Sequence, residues 1–202
     1  MLFEQDYILR MIQMLGNFLR RLKEIALETE KRQELDRFCQ EKCGLSLHTA
    51  DTLSQESLTQ MLPPEPRLIL SELYYIRAQH TQCLEEERLE WLGRSARLLL
   101  SLKEESLICQ ERRERLHEMM AEAALSPEEM LDAFAFFLEG EAFDWAEDAL
   151  FFALEDGAEK ALQLGLQGFE RLRDLSDKRL AAGGLPRREL NELIDELQAR
   201  NA

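Results

Sequence analysis

Apolar residues recur every three or four positions along almost the whole chain. The pattern opens with Tyr7, Ile8, Met11, Ile12, Leu15, Phe18, Leu19, Leu22, Ile25 and Ala26. That spacing lays one stripe along a helix from about Glu4 to Leu27, with Arg10, Gln13, Asn17, Arg20 and Lys23 opposite. Strand-like alternation of Val, Ile and Thr is nearly absent. The sequence therefore predicts an all-α protein with an N-terminal amphipathic helix. With 45 % hydrophobic residues in 202, it has enough apolar side chains for one or two cores.

Glycine, serine and proline mark where helices end and restart. A second helical segment carries Leu35, Phe38 and Cys39 and stops at Gly44. Ser54 is placed to cap a short helix holding Leu58, Met61 and Leu62. Pro63-Pro64-Glu65-Pro66 is the strongest interruption, and it predicts a boundary between an N-terminal section, 1–62, and a second section, 67–202, within one continuous unit. Beyond it helices come in pairs, about Arg67–Gln79 with Glu85–Leu102, then a charged helix over Ser106–Ala124 carrying Leu107 and Ile108. Ser126-Pro127-Glu128-Glu129 opens the next helix as a capping box. A turn at Gly140 leads to a helix with Trp145, Ala149 and Phe152 on one side. A long helix over Ala158–Leu180 comes next, and after Gly183-Gly184 a last one buries Leu190, Leu193, Ile194 and Leu197. Successive antiparallel hairpins with small residues at Ala78, Ala96, Gly140, Ala146 and Ala149 predict a tetratricopeptide-like array.

Four stretches carry a resemblance: Phe3-Glu4-Gln5-Asp6-Tyr7-Ile8-Leu9-Arg10-Met11-Ile12, Gly44-Leu45-Ser46-Leu47, Gly140 to Phe151, and Gly183-Gly184-Leu185-Pro186. In these the chain resembles a bacterial family of uncharacterised cytoplasmic helical proteins. The resemblance implies a tetratricopeptide-like fold and a cytoplasmic location, and it implies no activity.

Charge is unevenly distributed. From Glu122 to Glu159 there are twelve acidic residues and no Lys or Arg, which accounts for −12 of the net charge of −15. Seven aromatics share the stretch. Helical phase sets Phe136 and Phe151 off the main apolar stripes, so they either meet neighbouring helices or face solvent. The functional reading is an acidic-rimmed groove for a basic, amphipathic segment of a partner protein. Its anchors would be Phe136, Phe143, Trp145 and Phe151, and its rim Glu139, Glu141, Asp144 and Asp148. Alternatively Lys160, Arg171, Arg173, Lys178, Arg179, Arg187 and Arg188 neutralise the hairpin from within the chain.

Other function classes find less support. Strong acidity opposes nucleic-acid binding and a membrane-surface role for the first helix. The chain shows no secretory leader and no apolar run long enough to span a bilayer, so a cytoplasmic protein with reduced cysteines is expected. Residues 4–27 also permit a homodimer seam, since Ile8, Leu15 and Leu22 stand seven apart, as do Met11, Phe18 and Ile25. Cys39, Cys43, His48, His80 and Cys83 are zinc-ligand types, although cysteines one helical turn apart also fit a packed core. No phosphate loop, nucleophile elbow or metalloprotease motif occurs, and Glu114-Arg115-Leu116-His117 is a single match to a di-metal motif that needs two. A non-enzymatic protein without a cofactor is expected.

Overall fold

The computed structural model describes residues 2–102, 110–123, 125–158 and 160–201, with side chains from residue 10 onward except those of 110 and 111. Among these residues it has twelve helices and no strand. They are α1 (Leu2–Glu24), α2 (Glu28–Cys43), α3 (Leu47–Thr52), α4 (Gln55–Met61), α5 (Pro64–His80), α6 (Glu85–Leu100), α7 (Gln110–Met120), α8 (Pro127–Glu139), α9 (Phe143–Glu155), α10 (Ala161–Leu172), α11 (Asp177–Ala182) and α12 (Arg187–Arg200). Among the described residues no helix is long and apolar enough to cross a membrane.

The chain divides into two compact units at Ala124/Leu125, not at the prolines. The reason lies in proline's tolerance of a helix's first turn, where the missing N–H is not needed. Pro64 occupies that turn and starts α5 three residues earlier than expected. α5 then packs back along α2 and forward along α6, which ties the N-terminal section to the helices beyond the prolines.

In the first unit α5 is the central helix, buried from Leu68 to Tyr74 and again at Ile76 and Ala78. Its approach to α6 is close because small residues meet there. Ser71 Oγ donates to the Ser95 carbonyl and Ser95 Oγ to the Ser71 carbonyl, each at 2.8 Å. α1 buries part of its stripe within the chain and leaves Ile12 exposed. Met11, Leu15, Phe18 and Leu22 are buried, and the Phe18 ring stacks on Phe38 of α2 with centroids 4.0 Å apart. Of the described residues of the expected dimer seam, Met11, Leu15, Phe18 and Leu22 are thus covered by their own chain and Ile25 is half-buried, while Tyr7 and Ile8 lie outside the described side chains. Leu107, Ile108 and Cys109 also lie outside them, as does Ala124; the described part of the charged helix, α7, buries Leu116, Met119 and Met120.

α7 is also fixed by charge. Glu72 of α5, only 8 % exposed, takes Arg112 at 3.4 Å and Arg115 in a shorter contact. The Arg115 guanidinium lies over the Tyr75 ring. A second, half-buried network closes α3. Asp51 accepts Tyr74 Oη–H at 3.1 Å and Arg77 at 2.9 Å, and Arg77 lies over the Trp91 ring at 3.9 Å. Arg94 donates to the carbonyls of Ala50, Asp51 and Leu53, satisfying the C-terminal end of α3.

In the second unit α8 packs along α9, and α10 lies against both. Two glycines of α10 permit that approach. A Cβ at Gly165 would meet Leu150 at 2.4 Å, and one at Gly168 would meet Phe134 and Leu138 at 2.7 Å. The expected long helix over Ala158–Leu180 is two helices. Ser176 divides them, its hydroxyl accepting the Arg179 N–H as the cap of α11. Arg187 bonds the Arg173 and Leu175 carbonyls, which compensates the end of α10. Leu190, Leu193, Ile194 and Leu197 are buried on α12 as expected.

Candidate acidic interaction face

The expected phase of α9 needs correction, and with it the candidate site. Its buried stripe is Phe143, Ala146, Ala149, Leu150 and Ala153, with alanine at three of the five positions. Small side chains let α9 lie close to α8, and Trp145 and Phe152 fall on the flanks. Trp145 is half-buried there and Phe152 is 39 % exposed, instead of both facing inward with Ala149.

The eight residues expected to form the groove separate into distinct roles. Phe143 is 1 % exposed and serves the core, not a partner. Its N–H donates to the Gly183 carbonyl at 2.7 Å, and the Asp144 N–H reaches the same oxygen at 3.3 Å. That carbonyl does the work of a side-chain cap, which Ala142 at the N-cap of α9 lacks. Asp144 is half-buried, accepts the Trp145 N–H at 2.9 Å, and lies where any side chain at Gly184 would go. Glu141 is bound by Arg179, Nε to Oε2 at 2.9 Å with a second, shorter contact. Glu139 and Asp148 are exposed.

Phe136 and Phe151 are both half-buried. Phe136 meets Phe137 edge-to-face at 5.6 Å, and Phe137 meets Trp145 likewise at 5.8 Å, so an aromatic row joins α8 to α9. Phe151 carries the Arg200 guanidinium of α12 over its ring at 5.2 Å.

A further group of carboxylates gathers where α12, through Arg200, meets α9. Glu147 is half-buried there. Burial holds its carboxyl above the usual carboxylate range, and the carboxylates of Asp148, Glu189, Glu196 and Asp144 push it the same way. Sequence reading misses Glu147, Glu189 and Glu196 as site residues. The signal available is their phase: Glu189 and Glu196 stand two turns apart on one flank of the buried stripe of α12, each within one turn of Leu193. Neutralisation from within the chain is partial. Arg179 reaches Glu141, whereas Arg187 and Arg188 pair with Asp177 and Glu192, and Arg200 pairs with Glu196.

The alternative zinc group does not assemble. Among the described residues no three His, Cys, Asp or Glu side chains converge in a way that would hold a metal ion. Cys39 and Cys43 are buried in the core side of α2, and the Cys43 thiol donates to the Pro66 carbonyl at 3.5 Å. A hydrogen bond with Cys43, then burial, push the Cys39 thiol up, away from the thiolate that zinc requires. His48 is exposed on α3, while His80 and Cys83 are half-buried around the end of α5.

No curated protein and no solved structure matches the chain. Residues 2–202 do match one family throughout, and the chain belongs to it: a family of unknown function (DUF6483).

Proposed function

We propose that this protein is a non-enzymatic adaptor that receives a basic segment of another protein on the face shared by α9 and α12. The observation that carries the reading is half-buried Glu147 on the helix that α12 meets through Arg200 over Phe151; the charges of Asp148, Glu189, Glu196 and Asp144 all raise its carboxyl. Like charges held together destabilise the free protein, and a Lys- or Arg-rich segment relieves that repulsion on docking. Phe151 and exposed Phe152 on the same helix offer it apolar contact. The paired helices α5 with α6 and α8 with α9 are read as tetratricopeptide-like units. The protein is read as bacterial and cytoplasmic on the family resemblance.

The test uses a fluorescein-labelled amphipathic Lys/Leu peptide and two variants of equal charge. One removes Asp148, Glu189 and Glu196 as Asn, Gln and Gln; the other removes exposed Glu128, Glu155 and Asp174 in the same way. The first is expected to weaken binding about tenfold or more, and the second only slightly. Equal losses in both would reduce the interaction to net charge and refute the assigned face.

A further inference from the structure

Arg77, Arg115 and Arg200 share one arrangement, a guanidinium over an aromatic ring with a carboxylate beside it. Arg77 lies 3.9 Å from the centre of the Trp91 ring and pairs with Asp51 at 2.9 Å. Arg115 lies 4.5 Å from Tyr75 and pairs with Glu72. Arg200 lies 5.2 Å from Phe151 and pairs with Glu196 at 2.7 Å. The chemistry suits arginine. Its guanidinium is planar, so its face rests on a ring while N–H groups in its plane reach a carboxylate. A lysine ammonium is a compact point charge and lacks that division between face and edge.

The three differ in how firmly the arginine is held. Arg77 joins packed helices of the first unit and its side chain is 18 % exposed. The Arg200 side chain is 48 % exposed, and its carboxylate lies one turn back on its own helix. Arg200 also sits in the last turn of α12, where a helix frays most readily. An exposed i, i+4 pair and a contact with a half-buried ring restrain a side chain only weakly. Leu190, Leu193, Ile194 and Leu197 hold α12 in place without it. Arg200 can therefore leave Phe151 while the unit stays folded. What it leaves is a ring on α9 beside the Glu196 carboxylate, one turn from Glu147. The charges that Glu147 feels there, from Asp148, Glu189, Glu196 and Asp144, are all negative. The vacated place has the ring and the carboxylate that a second guanidinium needs.

We propose that Arg200 is a built-in occupant of the docking face, covering Phe151 until an arginine of the partner's basic segment displaces it and takes its place between the ring and Glu196. This rests on the reading of the α9 and α12 face given above. It adds which basic residue that face selects and what covers it beforehand.

The probes are two fluorescein-labelled amphipathic peptides of equal length and charge, one Arg/Leu and one Lys/Leu, titrated by fluorescence anisotropy. Wild-type protein is expected to prefer the Arg/Leu peptide. Arg200→Ala should tighten that peptide about threefold to fivefold, by freeing the fraction of molecules in which the ring is covered. Arg188→Ala removes the same charge from an exposed position of the same helix and should have little effect. Phe151→Leu should erase the preference for arginine and leave the Lys/Leu affinity unchanged. Should Phe151→Leu fail to fold by circular dichroism, the exposed Arg200 and Arg188 variants decide alone. Equal wild-type affinities for the two peptides, equal effects of Arg200→Ala and Arg188→Ala, or an arginine preference that survives in folded Phe151→Leu would each overturn the displacement and leave the acidic face standing. Unchanged binding of both peptides when Asp148, Glu189 and Glu196 are replaced together by Asn, Gln and Gln would remove the face itself, and this inference with it.

Discussion

Replacing Gly183 by Ala tests how the second unit is held together. A Cβ there would lie 2.4 Å from Cδ2 of Phe143 and 2.6 Å from the Glu141 carbonyl oxygen. Neither neighbour yields cheaply. The Phe143 ring is buried, and Glu141 sits in the left-handed region at φ 57° with its carboxylate bound by Arg179. Ordinary contact therefore needs the two backbones to part by about 1 Å, which also stretches the bonds from the Phe143 and Asp144 N–H groups to the Gly183 carbonyl. Overpacking of this kind costs about 1–3 kcal/mol, and losing a helix cap about 1 kcal/mol more. The expected total is roughly 2–4 kcal/mol, or roughly 10–30 °C in the melting temperature of a unit this size. Gly157→Ala is the control. It has a positive φ, 81°, but nothing lies within 4 Å of the added carbon, so only the backbone penalty of about 1 kcal/mol applies. Thermal and urea unfolding followed by circular dichroism compares the two. A Gly183→Ala protein no less stable than Gly157→Ala would refute the account of this junction.

Two further perturbations act on buried charge. Glu72→Gln removes the carboxylate that Arg112 and Arg115 share, and stranding a buried guanidinium costs about 3–5 kcal/mol; urea denaturation should show it, with Glu139→Gln on the surface as an indifferent control. Glu147→Gln should do the opposite. Because burial and its acidic neighbours raise the folded carboxyl above its unfolded value of 4.5, its contribution is fully present below that pH and is lost as pH rises through the folded value. Removing the charge should thus stabilise the protein by roughly 0.5 kcal/mol at pH 7 and by nothing near pH 4, and a gain of equal size at both pH values would contradict the assignment.

The features legible in the sequence are local. Ser54 and Ser126 cap the helices expected of them, and Gly44 ends α2 with φ 77°, because each acts through residues within one turn. Long-range causes are invisible there. Phe143 looks available in the sequence because what covers it is Gly183, forty positions on. Large residues usually set a helix's inward side, so the aromatics of α9 suggest its stripe. Here alanine takes three of the five inward positions, and nothing before the packing of α8 against α9 distinguishes the two choices. Glu147 is one acid among twelve until α12 brings the charges of Glu189 and Glu196 to bear on it. The prolines at 63–66 are a true interruption whose direction the sequence leaves open: they begin a helix instead of closing a domain.

The two tryptophans fall one to each unit. Trp91 is buried beneath the guanidinium of Arg77, and Trp145 is half-buried on the flank of α9. Each unit thus carries its own optical probe, an interior indole in one and a wetter indole in the other. Emission from Trp91 should lie to the blue and resist acrylamide, while that of Trp145 should lie to the red and be quenched. Trp91→Phe and Trp145→Phe proteins, each with a single emitter, would then track the melting of the two halves separately and reveal whether they unfold as one cooperative body or in sequence.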